Sequence, residues 1–240
     1  MRFAVLGTGE VGQAIATKLV QLGHEVKMGS RKADNENLTA WTARVGERAS
    51  AGTFAEAAAF GEAIFNCTAG VKSIDALTAA GEENLDGKLL VDVANAVIVS
   101  GRIEPPSLDR PNTDSLAERI QRTFPRARVV KTFNTINCDV MVNPGLVAGD
   151  HVIFVSGNDP EAKAQTVALL GTIGWPAHRV IDLGDITSAR GPEMFIGLFS
   201  RLFLNFRTPH FSIAIQRSTE AEPSTEIKPP NPTETAEVVP

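Results

Sequence analysis

The sequence predicts an α/β protein built on a doubly wound, mainly parallel sheet. Three observations carry that expectation. Short apolar runs rich in branched side chains alternate with stretches of helical periodicity through residues 2–184. The first run opens directly onto Gly7-Thr8-Gly9-Glu10-Val11-Gly12, a glycine turn between a strand and a helix. Strands separated by helices throughout pair in parallel, because each crossover returns the chain to the same edge.

The elements follow in order. Residues 2–7 form a strand buried on both faces. Residues 10–22 carry Val11, Ala14, Ile15, Lys18, Leu19 and Leu22 at helical spacing, and Gly23 stops the helix. A second strand spans 25–29. A weak helix over 36–45 and a short strand over 49–52 come next, and Thr53 caps the helix that FAEAAAF begins. EAIFNCTAG (62–70) is a strand ending in a loop of small residues. A helix at 72–81, a strand at 88–95, a Pro- and Asn-rich loop at 96–113, a helix at 114–123 and a strand at 127–134 continue the alternation. HVIFVSGND (151–159) is a strand, and Asp159-Pro160 starts a helix to 173. A strand over 178–184 precedes a strongly apolar helix over 187–205, and HFSIAI (210–215) alternates like a last strand or hairpin arm. The expected organisation is one nucleotide-binding domain over 1–217, its C-terminal helix and hairpin (about 184–217) forming a cap. The Pro-, Thr- and Glu-rich tail 218–240 has little to bury and is expected to be disordered.

Composition narrows the function. Apolar residues make up 43% of the 240 residues, enough for a sizeable core, and the net charge of −5 argues against nucleic-acid binding. Cys67 and Cys138 lie in no CxxC and beside no His at ligand spacing, so they read as reduced thiols of a cytoplasmic protein, and no metal is expected. No apolar run has the ~18 residues of a membrane span, and Met1 and Arg2 lead straight into a strand instead of a signal peptide. The chain has no Tyr, which excludes the Tyr/Lys pair of short-chain dehydrogenases. The four His residues sit in no catalytic spacing.

The glycine turn is a dinucleotide-binding signal of the Rossmann type. Gly7 permits the tight turn, Gly9 lets the backbone approach a pyrophosphate and Gly12 lets the helix pack against the strand, while Thr8, Glu10 and Val11 offer N–H groups near the helix start. NAD sites place an acidic residue at the end of the second strand to bind the ribose 2′-OH. This chain has Ser30, Arg31 and Lys32 there. A guanidinium fork with a hydroxyl and an ammonium suits a 2′-phosphate, so the cofactor expected is NADP(H). The ligand crevice of such a sheet lies beyond the C-terminal strand ends. Thr68, Ala69 and Ala94 are expected to cover the nucleotide there, and Asn95 and Asn134 to face the nicotinamide or its acceptor. Thr135 lies beside them; Ser188 and Arg190 could meet an anionic tail of the acceptor. No catalytic acid, base or nucleophile is assigned.

GTGEVGQAIA, GSR, KTFNTIN (131–137), FVSGNDPEAK (154–163) and IDLGDITSARGPE (181–193) together resemble the coenzyme F420-dependent NADP oxidoreductases over nearly all of residues 1–216. That resemblance implies a Rossmann domain with a small C-terminal extension and hydride transfer between NADP(H) and a deazaflavin. The residues alone leave other acceptors open: free flavin, a quinone or a chelated metal, or no acceptor at all in a redox sensor. A related module serves membrane-tethered metalloreductases. The apolar helix 187–205, with Phe195, Phe199, Phe203 and Phe206, is expected to be buried in a homodimer.

Overall fold

The computed structural model describes residues 1–98, 107–109 and 112–218. β1 (Arg2–Leu6), α1 (Glu10–Gln21), β2 (Glu25–Ser30), α2 (Glu36–Val45), β3 (Ala49–Thr53), α3 (Phe54–Phe60) and β4 (Ala63–Asn66) form the first half. After a 3-10 turn come α4 (Ser73–Ala80), α5 (Glu82–Leu85), β5 (Leu89–Asp92), the short antiparallel pair β6 (Val97–Ile98) and β7 (Ser107–Leu108), α6 (Leu116–Thr123) and β8 (Arg128–Lys131). The chain continues through α7 (Cys138–Val142), β9 (Ile153–Val155), α8 (Pro160–Ile173), β10 (Val180–Asp182) and α9 (Arg190–Phe206).

Six strands make one parallel sheet in the order β3-β2-β1-β4-β5-β8. The order reverses between β1 and β4, which opens a crevice at their C-terminal ends. The two faces have separate cores. Along β1, Phe3 and Val5 point to the side packed by Ile15, Leu19, Trp41, Leu170 and Trp175. Ala4 and Leu6 point to the side packed by Phe54, Leu77, Leu85 and Ile120. That is the period of two that a doubly covered strand must show. Thr53 caps α3 in a reciprocal box with Glu56, as the sequence indicates.

Two expectations need correction. The strands expected over 151–159 and 178–184 do not extend the parallel sheet. β9 and β10 pair with each other, and a single antiparallel bridge, Lys131 to Ser156, joins them to β8. A parallel neighbour needs a crossover that carries the chain back to the start of the sheet. The only α-helix between β8 and β9 is α7, five residues long, which rises only ~7–8 Å at 1.5 Å per residue; a three-residue 3-10 turn, Pro144–Leu146, follows it. The chain therefore re-enters near where it left and runs the other way.

The hairpin expected at 210–215 is likewise not formed; Ile213 alone pairs, with Val152. Phe211 instead stacks on Phe199 at 4.7 Å and against Phe206 at 5.7 Å, so its aromatic side chain follows α9 and not the sheet edge. Part of the loop expected at 96–113 pairs as β6–β7, and residues 99–106, 110 and 111 lie outside the described residues. Beyond Ser218 the tail expected to be disordered lies outside them too.

Trp175 ties the C-terminal part to the crevice. It is fully buried, its indole N–H donates to the Met141 carbonyl at 2.9 Å, and its ring meets His151 edge-on at 5.0 Å. Trp175→Ala is expected to cost about 3–5 kcal/mol, the range for deleting a buried aromatic, read as a lowered urea midpoint.

Candidate functional site

The crevice at the reversal point encloses about 280 Å³. One edge is the start of α1, with Glu10 and Val11. Thr68, Ala69 and Gly70 follow β4; Val93, Ala94 and Asn95 follow β5. Asn134, Ile136 and Asn137 follow β8, Cys138 and Met141 come from α7, and Ile196 and Phe199 come from α9.

The glycine turn is built by close approach. Gly7 has φ +117°, and a Cβ on it would lie 2.4 Å from the Cys67 carbonyl oxygen. A Cβ on Gly12 would lie 2.2 Å from the Gly7 carbonyl oxygen. These two glycines let α1 sit on the ends of β1 and β4. Gly9 differs: nothing lies within 4 Å of the place its Cβ would take, so the open space in front of α1 is kept free of side chains. Gln13 donates to the Thr8 carbonyl at 3.0 Å and accepts from Arg44 at 3.0 Å, which steadies the turn from α2.

At the end of β2, Ser30 is buried. Its hydroxyl donates to the Lys32 carbonyl at 2.5 Å and accepts from the Lys32 N–H at 3.2 Å. Ser30 therefore shapes the bend that presents Arg31 and Lys32, both exposed. Neither basic side chain has a hydrogen bond or ion pair among the described residues.

The walls are tied together by hydrogen bonds. Thr68 donates its hydroxyl to Asn66 Oδ1 at 2.7 Å and lies 2.9 Å from the Ser73 hydroxyl. Asn95 Nδ2 donates to the Asn134 carbonyl at 2.8 Å, and Asn134 Nδ2 donates to Asn95 Oδ1 at 3.0 Å. The two asparagines line the crevice, and they also clasp the ends of β5 and β8. Phe133, just before, has φ +66° and is buried. That conformation is unusual for a bulky residue and turns Asn134 toward the crevice.

Three expected residues are elsewhere. Thr135 is buried and does not line the crevice. The Ser188 hydroxyl donates to the Asp185 carbonyl at 2.6 Å and lies 2.8 Å from the Ser156 hydroxyl. Arg190 grips both Glu118 oxygens, at 2.9 and 2.6 Å. A turn and a helix join hold these two, because carboxylate and hydroxyl partners lie nearer than the crevice. Conversely, Met141, Ile196 and Phe199 were not expected to line the site. Asn137 before a Cys-Asp-Val run was the one signal of α7: it caps that helix by accepting from the Asp139 N–H.

The crevice offers little acid–base chemistry. Its ionisable side chains are Glu10 and two free thiols. Burial, and then the Asp92 charge, push the Cys67 thiol up; burial also pushes up Cys138. Neither is a ready nucleophile. No His lines the crevice. Among the described residues no His, Cys, Asp and Glu group could hold a metal ion, and no helix is long and apolar enough to cross a membrane. A larger hollow, about 550 Å³, lies at the opposite strand ends beside Phe3, Ala63, Leu89 and Arg128. It is away from the C-terminal ends where such sheets bind ligands.

The family described as NADP oxidoreductase, coenzyme F420-dependent, matches residues 2–96. A crystal structure of a candidate F420-dependent NADP-reductase from Arthrobacter sp. FB24 is 48% identical, with a TM-score of 0.84, covering 90% of this chain and 99% of that one. The chain belongs to the F420-dependent NADP oxidoreductase family. As a member of it, the protein is an NADP-dependent oxidoreductase. The rat metalloreductase STEAP3 is 28% identical over 193 residues, 80% of this chain. The chain spans only 36% of the length of that relative. An imine reductase of Streptomyces aurantiacus shares the fold, with a TM-score of 0.61 at 20% identity over 85% of this chain and 62% of its own.

Two outcomes follow. Gly12→Ala is expected to destabilise the oxidoreductase by about 1–3 kcal/mol, the cost of overpacking, whereas Gly9→Ala should stay within about 1 kcal/mol of the parent because its φ of −74° suits alanine; thermal unfolding distinguishes them. Burial would raise the Glu118 carboxyl, but hydrogen bonds from Arg190 and Ser115 outweigh it and hold it at about 2. A carboxyl lowered on folding stabilises the protein above its unfolded value and loses that contribution as the pH falls toward 2. Arg190→Gln should therefore lower stability at neutral pH and flatten the loss of stability between about pH 4.5 and 2, measured by urea unfolding across that range.

Proposed function

We propose that the crevice binds NADP(H) and that the protein passes hydride between it and coenzyme F420 or a similarly flat acceptor. The observation that carries this reading is the crevice itself. It has an open phosphate turn at one end, apolar walls of Val93, Ile136, Met141, Ile196 and Phe199, and no acid–base pair. Hydride transfer between two flat rings requires position more than acid–base groups: the reacting carbons must be held ~3–3.5 Å apart.

The residues fit the cofactor. The N–H groups of Gly9, Glu10 and Val11 at the start of α1 would hold the pyrophosphate in the space left by Gly9. Arg31 and Lys32 would take the 2′-phosphate, with Ser30 fixing their bend. Thr68 and Ala69 would lie along the ribose, and Ala94, Asn95 and Asn134 beside the nicotinamide. When bound, NADP(H) supplies or accepts the hydride. The protein's part is to orient the ring on the β5 and β8 loops and to exclude water with Ile196 and Phe199. In this reading the segment 184–217 caps the nucleotide domain, and the protein acts in the cytoplasm. Met194, Leu198, Phe203, Leu204, Phe206 and Ile215 are exposed apolar side chains on and just after α9, and apolar surface of that extent supports a homodimer through this helix.

Arg31→Ala is expected to weaken NADPH binding by about 1.5–3 kcal/mol, the worth of a hydrogen bond to a charged group, and to leave NADH binding unchanged. Equal losses for both nucleotides would remove Arg31 from the 2′-phosphate site. The acceptor is tested by mixing the protein with NADPH and oxidised F420, with FMN in parallel. NADPH-dependent bleaching of the deazaflavin alone supports this reading, and bleaching of FMN alone replaces the deazaflavin with a flavin. Light scattering at micromolar concentration checks the dimer, and a monomer mass would overturn it.

A further inference from the structure

Behind the crevice wall lies a buried charge cluster that the proposed chemistry does not use. Lys131, the last residue of β8, is 1% exposed. Its ammonium is 2.9 Å from Asp92 Oδ2 and 2.9 Å from Glu193 Oε1, and it also donates to the Ala94 carbonyl. Both carboxylates are buried as well. Two negative groups thus face one positive group where water does not reach, and the remaining bonds show how they are balanced. Glu193 accepts the N–H groups of Leu116 at 2.8 Å and Ala117 at 3.1 Å, so the start of α6 supplies further positive potential. Asp92 accepts from Asn66 Nδ2 at 2.8 Å. Burial drives Asp92 toward its neutral form and, with the Glu193 charge, keeps it above its ordinary value although Lys131 opposes the shift; burial would also strip Lys131 of its proton, but the two carboxylates overcome that and hold Lys131 above its own.

The bonds of this cluster end on three separate walls of the crevice. Asn66 accepts from Thr68 and so fixes the loop after β4. The Ala94 carbonyl and Asp92 fix the loop after β5. Glu193 lies in the first turn of α9, and Ile196 and Phe199 follow it by three and six residues on the same helix. We propose that Lys131 is a positioning residue, whose ammonium sets the separation between the strand-end loops and the crevice-facing side chains of α9. This rests on the reading of the crevice as the place where nicotinamide and acceptor meet. A link made of short, charged hydrogen bonds is directional: Arg190 and Glu118 hold the start of α9 on α6, and the Lys131–Glu193 bond ties that helix to the end of β8. Transfer between two rings held by different segments is sensitive to such sliding: a displacement of about 1 Å can lower a rate ~100-fold.

Lys131→Met alone would leave two carboxylates facing each other in the interior, so the test uses two better-balanced variants. Asp92→Asn/Lys131→Met/Glu193→Gln removes all three charges at nearly constant volume. Glu193→Gln removes one charge and weakens the bonds of α9 to Lys131 and to the start of α6. For each, the measurements are thermal unfolding, the NADPH Kd from nicotinamide emission, and kcat and KM with oxidised F420, or with FMN if that is the acceptor reduced. The triple variant is expected to bind NADPH within about twofold of the parent while kcat falls toward the ~100-fold scale of a 1 Å displacement. Glu193→Gln should raise the acceptor KM and lower kcat by a smaller factor, with the NADPH Kd again unchanged. A folded triple variant that turns over like the parent overturns the inference. Should the triple variant not fold, Glu193→Gln decides, and unchanged kcat and KM overturn it. A parent protein that fails to bind NADPH would overturn the functional reading, and this inference with it. A parent that transfers hydride beside variants that do so equally well overturns this inference alone.

Discussion

The close approach of α1 to the ends of β1 and β4 is the constraint on which the rest of the molecule depends. It requires hydrogen in place of Cβ at Gly7 and Gly12, where any side chain would run into the Cys67 or Gly7 carbonyl. Because α1 can sit that low, its first N–H groups open onto the crevice at the point where the strand order reverses. The same approach places Val11 and Cys67 among the lining residues. The open space before Gly9 and the exposed Arg31 then acquire a direction: one end of the crevice suits phosphate and the other an apolar ring.

The apolar end has a different logic. Its walls come from four stretches of the chain: the loop after β4, the loop after β5, the loop after β8 together with α7, and α9. No nucleophile or general base stands among them, and the two thiols present are pushed toward their neutral form. In the proposed reading such a site works by holding two partners at a set distance, which moves the demand from reactive groups to rigidity. The reciprocal bonds of Asn95 and Asn134, the left-handed Phe133 and the buried Lys131 cluster all serve rigidity. Each costs something in isolation, through strain or desolvation, and each is compensated by neighbours that fix it.

The C-terminal part shows how little is needed to close one side. Trp175 anchors α7, Arg190 joins α9 to α6 through Glu118, and Phe211 lies on Phe199. Ile196 and Phe199 reach the crevice from that frame, while much of the remaining apolar surface of α9 faces outward.

The amino-acid sequence shows the parallel sheet, the glycine turn and the replacement of an acidic residue by Ser30, Arg31 and Lys32 without help from the fold. These are local: a period of two or 3.6, a glycine spacing and a residue at a strand end are read within a few positions. It also placed Asn95 and Asn134 at the crevice, since a strand end is a local property too. What those side chains touch was settled by folding. Arg190 and Ser188 had the right chemistry for an anion, yet Glu118 and Ser156, distant in sequence, lie closer. The reversal at β9 was hidden because a five-residue helix such as α7 carries almost no periodic signal. Lys131 read as one residue of an apolar strand, and its two carboxylate partners stand 39 positions before it and 62 after it. Charges that meet across such separations leave no pattern in a linear sequence, because folding alone sets the distance between them.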